Sequence, residues 1–418
     1  MASESSRQYS FTDALKIPDV RYFIGSVGFF TLASRALAVV IGFQVYQITH
    51  SAMAIGWLGL IEAIPAISLV LFGGYVADHY DRKKILLITR AASALCALGL
   101  VFISLKPGDH LLGGLYAVVF LAGVARSFAD PASTAFEAQI VPKHLTVSGA
   151  SWISSTWISC SVLGPAAIGF IYDAWGIITS YWMIVICFSF SWMGTAFLKP
   201  KTQTLPKNPE PILKSIGIGW KYVFQNQPLL AAMSLDLFAV LFGGAIALLP
   251  IYAQDILHVG AKGLGLLNAA PSVGALLISL TATRHPPIRK AGRNLLLTVF
   301  GFGICFIAFA FSKNFWFSII ALFFSGIFDG VSMIIRRAMV RLLSPDHLRG
   351  RIAAASWIFI VSSNELGTFE SGMVAAWIGT VPCVAVGGFM TLAIVILASF
   401  LAPELRKLKF NLQTLERE

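Results

Sequence analysis

The chain has 418 residues, 57% of them hydrophobic and only 12% charged, with a formal net charge of +11 and a mean hydropathy of +0.77. A soluble domain is rarely more than about half apolar, so a water-soluble enzyme or a solvated binding module is excluded. The excess of Lys and Arg over so few charges needs an explanation other than nucleic acid.

Long apolar runs recur from end to end. A helix needs roughly 20 residues to cross the hydrocarbon. Inside lipid the backbone must satisfy its own hydrogen bonds, so runs of this length are predicted to be helical. They lack the strict alternation of a barrel strand. Residues 1–21 are polar, with no cleavable signal peptide, and form a predicted cytoplasmic segment. About twelve spans are predicted, near 22–49, 53–77, 84–106, 111–139, 148–173, 177–197, 229–256, 261–283, 294–312, 315–343, 350–378 and 380–402. The predicted fold class is an all-α membrane protein of twelve transmembrane helices in two pseudo-symmetric six-helix halves, 22–197 and 229–402. The connection 198–228 is rich in Pro and Lys and then amphipathic from about Pro211 to Phe224, which predicts a linker followed by an interfacial helix. Residues 403–418 form a predicted cytoplasmic tail.

Between the second and third spans the chain reads GGYVADHYDRKKILL, gathering Asp78, Asp81, Arg82, Lys83 and Lys84. Charge of this kind recurs on alternate links. With the N-terminus inside, the inner segments hold Arg7, Lys16 and Arg21; Arg82, Lys83, Lys84 and Arg90; Arg284, Arg289, Lys290 and Arg293; and Arg336, Arg337, Arg341, Arg349 and Arg351. The outer loops hold only Lys106, Lys262 and Lys313. This is the positive-inside pattern, and it places both termini and the charged cluster in the cytoplasm. The positive charge then faces anionic lipid headgroups rather than nucleic acid.

The halves look duplicated. IVPKHL is followed by Ser151-Trp152, and LSPDHL by Ser356-Trp357. Pro142 and Pro345 are 203 residues apart, and Trp152 and Trp357 are 205 apart. Each motif follows an even-numbered span. Parallel repeats of this kind place a cavity between them near the bilayer midplane.

No phosphate loop, zinc-protease motif or nucleophile elbow occurs. The five cysteines lie inside apolar runs without metal-ligand spacing and read as small hydrophobes. What remains is ionisable residues within spans, which are costly in lipid and face a cavity or one another. Arg35 in the first span and Glu62 in the second lie at similar depth and are expected to pair, either for function or simply to hold the two helices together. Arg126 and Asp130 are four apart on one face of the fourth span, and a local salt bridge is the plain alternative. Pro131 is expected to bend that helix. In the second half Asp236, Asp329, Glu365 and Glu370 are intramembrane carboxylates. A carboxylate in low dielectric can take up and release a proton near neutral pH, or merely hydrogen-bond a neighbouring helix. Gly164-Pro165 is expected to break the fifth span. Gly243, Gly244 and Gly274 are expected to allow close helix approach. Phe238, Phe242, Trp152, Trp157 and Trp357 read chiefly as packing or belt residues, with a few available to line an apolar surface.

These motifs resemble the major facilitator superfamily. In the loop motif G-x-x-x-D-[RK]-x-G-[RK]-[RK], Gly74, Asp78, Arg82 and Lys83 match, while His79 and Asp81 depart from the pattern. Arg126 matches the arginine of the fourth-span motif. CSVLGPAAIG resembles the fifth-span G-x-x-x-G-P-x-x-G-G motif of proton-coupled exporters through Gly164, Pro165 and Gly169, with Cys160 and Ile168 departing. LDLFAVLFGGAIALLP, PDHLRGR and SNELGTFESG resemble the bacterial branch of drug:proton antiporters that holds enterobactin exporters and macrolide-efflux proteins. The resemblance implies alternating access and export of a small amphipathic molecule, a siderophore or a drug, from the bacterial inner membrane. A proton gradient would supply the energy, with no cofactor or metal. It implies a monomer among membrane lipids, handing substrate to an outer-membrane channel. It also implies that Gly74, Asp78, Arg82 and Lys83 form a conformational latch toward the start of the eleventh span, with Arg82 pairing with a carboxylate or with helix C-terminal carbonyls. Import of a nutrient or siderophore by proton symport is the alternative, and a receptor without transport is a third class.

Overall fold

A computed structural model describes residues 12–105, 108, 110–199, 212–282, 287–345 and 348–410, and every regular element among them is helical. The Pro-rich stretch 200–211, the Asp346-His347 pair of the repeated motif, Arg7, Lys106, Arg284 and the tail from 411 onward lie outside the described residues.

The elements follow the sequence closely. The first five long helices are α1 (Pro18–Thr49), α2 (Ala52–His79), α3 (Arg82–Leu105), α4 (Leu111–Ile140) and α5 (Thr146–Ala196). Then come the linker helix α6 (Ile212–Gln225), α7 (Gln227–Phe242), the short α8 (Leu249–Ile251), α9 (Gly260–Ala282) and α10 (Ala291–Ala310). The chain closes with α11 (Phe315–Leu343), α12 (Arg349–Ile378), α13 (Thr380–Leu401) and the short α14 (Pro403–Lys407). Local chemistry sets several boundaries. Pro18 opens α1 in its first turn, where a missing N–H costs nothing. Ser51, Asn226 and Asn314 accept backbone N–H bonds at the starts of α2, α7 and α11.

Ten of the described helices are long and apolar enough to cross a membrane. Two predicted spans are not among that ten as separate helices, for different reasons. Helix α5 has 51 residues, which at 1.5 Å each would reach about 75 Å, over twice the hydrocarbon thickness. It divides at Gly176, whose φ of 79° is a conformation that glycine adopts freely, giving limbs 146–175 and 177–196. Helix α12 has 30 residues, but its charges, Glu365 and Glu370 among them, lower its hydropathy. A count of twelve rests on taking the limbs of α5 separately and α12 as a crossing.

Gly164-Pro165 does not break the fifth span: α5 runs through both residues. In lipid a freed backbone group finds no water, so the helix keeps its turns and neighbouring groups absorb the defect. The seventh predicted span is less regular than expected. Beyond Phe242 it passes through a 3₁₀ segment, Gly244–Leu248, and a π turn, Tyr252–Ile256.

Within the first set of helices α1 packs along α5, α2 along α4, and α3 against α4 and α5. Within the second, α9 packs on α11, α10 on α11 and α13, and α7 on α12 and α13. The two sets meet where α2 packs on α12 and α5 on α9. The periphery is apolar. Ile88, Leu95 and Phe102, seven residues apart on α3, are all well exposed, as suits a face turned to lipid rather than to water.

The buried core has two different ends. At the end of α1 remote from the basic links, one cluster joins both sets, with Val45, Ile55 and Ile168 beside Leu249, Leu264 and Ala375. Polar contacts add to the closure there: Tyr46 donates a hydrogen bond to Asp255, and Lys262 lies 4.9 Å over the ring of Phe170. Toward the basic end, the described buried residues separate. Phe23, Ala77, Phe136 and Leu198 belong to one cluster, and Leu229, Leu295, Met339 and Leu405 to another. Among the described residues, one buried cluster joins the two sets at the end remote from the basic links, and at the basic end each buried cluster belongs to one set.

Candidate functional site

The seam between the two sets holds an ionic cluster. Arg126 on α4 pairs with Glu62 on α2 at 2.5 Å, with Asp130 one turn along α4 at 3.5 Å, and with Glu365 on α12 at 3.7 Å. Three helices converge on one guanidinium, and Glu365 belongs to the other side of the seam. Small residues make the convergence possible. A Cβ on Gly123 would stand 2.8 Å from Pro65, and a Cβ on Gly59 would stand 2.8 Å from the carbonyl oxygen of Glu365. Helix α2 therefore lies close to α4 on one side and α12 on the other, with Glu62 between them.

Arg35 and Glu62, expected as partners, are not an ion pair. Helix α1 packs on α5, and a Cβ on Gly164 would meet the Leu32 carbonyl oxygen at 2.8 Å and the Arg35 Cβ at 3.2 Å. This close approach turns Arg35 toward α5, where its guanidinium lies 5.5 Å from the ring centre of Trp157. The fifth-span glycine thus acts by fixing the Arg35 stem against α5. Arg35 is nonetheless within electrostatic reach of Arg126, Glu62, Asp130 and Glu365. Formally the cluster has two cations, Arg35 and Arg126, and three carboxylates, so one negative charge is in excess when all are ionised.

A second cluster lies within the α7–α13 set. Arg336 on α11 pairs with Asp236 on α7 and, at 3.7 Å, with Asp329 two turns back along α11. Arg337 also acts electrostatically on Asp329 and Arg336. Two arginines face two aspartates, so this group is formally balanced. Both partners of the Arg336–Asp236 pair are largely withdrawn from the surface, with side-chain exposures of 14% and 11%. Sequence reasoning missed Arg336 as a site residue, because it counted with the headgroup-facing arginines of the 336–351 region. The available signal was spacing: Asp329 and Arg336 are seven apart and share a helical face.

Glu370 stands apart from both clusters and accepts a hydrogen bond from Ser371 at 3.3 Å. Phe238, Trp157 and Trp357 are exposed rather than packed inside the core. Gly243 and Gly244 break the α7 helix as well as packing closely: a Cβ on Gly244 would stand 2.7 Å from the Gly367 carbonyl oxygen. Gly274 lies against the α11 backbone at Gly326 and Ile327. A Cβ on Gly169 would stand 2.7 Å from the carbonyl oxygen of Ala261 across the seam.

At the basic end, Arg82 donates to the carbonyls of Ala77 (2.9 Å) and Ala135 (3.1 Å), and lies 3.6 Å from Asp78. Lys83 donates to the carbonyls of Ala196 (3.0 Å) and Leu198 (2.5 Å) at the end of α5. These bonds tie the α2–α3 link to the C-terminal ends of α4 and α5, where carbonyls favour cations. Gly74 has open space where a Cβ would stand. The five cysteines are free, and no group of three metal-ligating side chains occurs among the described residues.

A family model described as Major Facilitator Superfamily matches residues 23–291, more than half of the chain. Proteins described as enterobactin exporter EntS are similar along most of their length. That of Escherichia coli O81 is 24% identical over 379 residues, 89% of each chain, and that of Shigella boydii serotype 18 is 23% identical over 379 residues, again 89% of each. Among solved structures, a peptide transporter POT in complex with sulfate superposes with a TM-score of 0.76 at 10% identity, over 96% of this chain and 100% of that one. A POT family transporter in complex with 5-aminolevulinic acid gives 0.72 at 11% identity, over 92% and 96%.

Proposed function

The chain belongs to the Major Facilitator Superfamily, and we propose that it is a secondary active exporter of the bacterial inner membrane, moving a small amphipathic molecule outward in exchange for protons. The observation that carries this reading is the Arg126 cluster, which draws Glu365 across the seam of a body whose described buried clusters divide between the two sets at the basic end. In this reading the two sides are six-helix halves that rock about the seam, with the basic end in the cytoplasm. An opening onto the cytoplasm is where an exporter loads.

The charge balance selects the coupling group. The Arg336 cluster is formally neutral and internal to one half, so it serves as a brace. The Arg126 cluster has one negative charge in excess and spans both halves. A proton on Glu365 removes that excess and the attraction across the seam together. Exposed Arg35 and Trp157, presented side by side, offer a cation and a ring face to a substrate entering at the basic end. Relatives described as enterobactin exporters support an exported siderophore, with a drug as the other member of the class. Asp78, Arg82 and Lys83 act as the latch that stabilises the state closed at the basic end.

The direction is tested with inverted and right-side-out membrane vesicles supplied with an imposed pH gradient. Accumulation of catecholate siderophore or dye in inverted vesicles, driven by interior acidity, is expected. Accumulation only in right-side-out vesicles would establish a symporting importer instead.

A further inference from the structure

Helices α6, α7 and α12 line an open-sided cavity of about 260 Å³. Its walls are Trp220 and Phe224 from α6, Leu237 and Phe238 from α7, and Phe359 and Ser362 from α12. Three of the rings make a connected group. Trp220 stacks on Phe224 with centres 5.7 Å apart and sits 5.0 Å from Phe359. Phe224 and Phe238 are exposed, so their faces are not used up in the core.

The position of this cavity relates it to the ionic cluster. Ile358, Ser362, Glu365 and Phe369 recur at helical spacing and share one face of α12. That face meets Trp57 of α2 through Phe369, at 5.6 Å, and meets Arg126 through Glu365. The cavity is lined wholly by α6, α7 and α12, and its wall at Ser362 is one turn from Glu365 on the face of α12 that meets the seam. Its other wall is the amphipathic α6, which exposes Lys221 beside Trp220 and suits the level of the lipid headgroups.

Sites that enclose a whole drug-sized molecule run about 300–1,000 Å³, so this cavity fits part of one. Its lining is nearly all apolar and dominated by rings, which favour a flat aromatic group through offset and edge-on contacts. We infer that the cavity is a subsite for the aromatic, apolar part of the transported amphiphile. It is entered from the inner leaflet beneath α6 and leaves the polar part of the molecule toward Glu365. This inference rests on the exporter reading above.

Benzophenone, two rings without charge, serves as the probe. The full chain in lipid nanodiscs is irradiated with it and the labelled peptides are mapped. Label is expected to concentrate in 220–238 and 358–362. Filling the cavity with Ser362→Trp is expected to reduce that labelling about tenfold, a loss of about 1.4 kcal/mol of binding. Phe359→Ala removes a wall without crowding and should also weaken labelling, so the outcome does not hang on the folding of one variant. Excess naphthalene should displace the label. Label spread evenly over lipid-facing helices, unchanged in both variants, or displaced by phosphatidylglycerol and not by naphthalene, would overturn the subsite. Photolabelling needs no turnover, so its result stands apart from the vesicle test of export.

Discussion

Glu365→Gln removes one charge from the seam while keeping the shape of the side chain. The Arg126–Glu365 separation is 3.7 Å. At an effective dielectric constant near 20, a full charge pair at that distance is worth about 4 kcal/mol. Arg126 is half exposed and keeps Glu62 and Asp130 as partners, so solvent screening and redistribution reduce the net loss to about 1–2 kcal/mol. That loss falls on the state seen here, and shifts the balance toward closure of the basic end by about 5- to 30-fold. Spin labels at Ser155→Cys on α5 and Leu277→Cys on α9, in a background without native cysteines, read the basic-end separation by pulsed electron resonance. Both positions are exposed. Glu365→Gln is expected to shorten the distance. Acid should do the same to the native chain, because protonation neutralises the same carboxylate, and the variant should no longer respond to acid through this group. Opposite movements under acid and under the Gln substitution would refute the reasoning, as would an unchanged distance in both.

Arg126→Ala leaves Glu62, Asp130 and Glu365 crowded without a cation; proton-driven flux in proteoliposomes should vanish, and retained antiport would count against the cluster. Arg336→Ala, at a pair withdrawn from the surface, should lower thermal stability by about 3–5 kcal/mol, whereas Arg336→Met combined with Asp236→Asn should recover most of it and keep the pH profile of transport, since the brace carries no coupling proton. Gly164→Ala inserts a methyl 2.8 Å from the Leu32 carbonyl oxygen, and should cost about 1–3 kcal/mol by overpacking, visible as a lower melting temperature and as altered substrate KM through displacement of Arg35. Asp78→Asn is expected to lower transport strongly while leaving probe binding to the purified protein nearly intact; unchanged transport would remove the latch.

The helices were legible in the sequence because lipid imposes a simple requirement: backbone groups must pair within the segment. The predicted 111–139 and 315–343 correspond to α4 (Leu111–Ile140) and α11 (Phe315–Leu343). The gap between the predicted spans 148–173 and 177–197 falls on the kink at Gly176, whereas the break expected at Gly164-Pro165 is absent, because proline signals a helix end only locally and the lipid setting overrides it. Site residues were legible as individuals, since charge in a span is rare. Their partners were not, because pairing depends on which helices touch. Arg35 and Glu62 have similar depth, but α1 faces α5 and α2 faces α4. A relation between the clusters could have been read from the repeat: Arg126 lies 16 residues before Pro142, and Asp329 lies 16 before Pro345. The duplicated helices carry opposite charge at corresponding places, so each half recruits its countercharges from different neighbours.

Across the end remote from the basic links the two sides touch through their plainest residues. A side-chain carbon on Gly56 would lie 3.1 Å from the Cα of Gly372, and one on Gly169 would lie 2.9 Å from the Cα of Gly265. Backbone rests on backbone there, with no knob seated in a hole at those points. Surfaces that meet this smoothly can slide and part without any rotamer having to turn first, so the resistance to separation is spread thinly instead of stored in a catch. A single methyl at either pair would press on the facing backbone and roughen that contact.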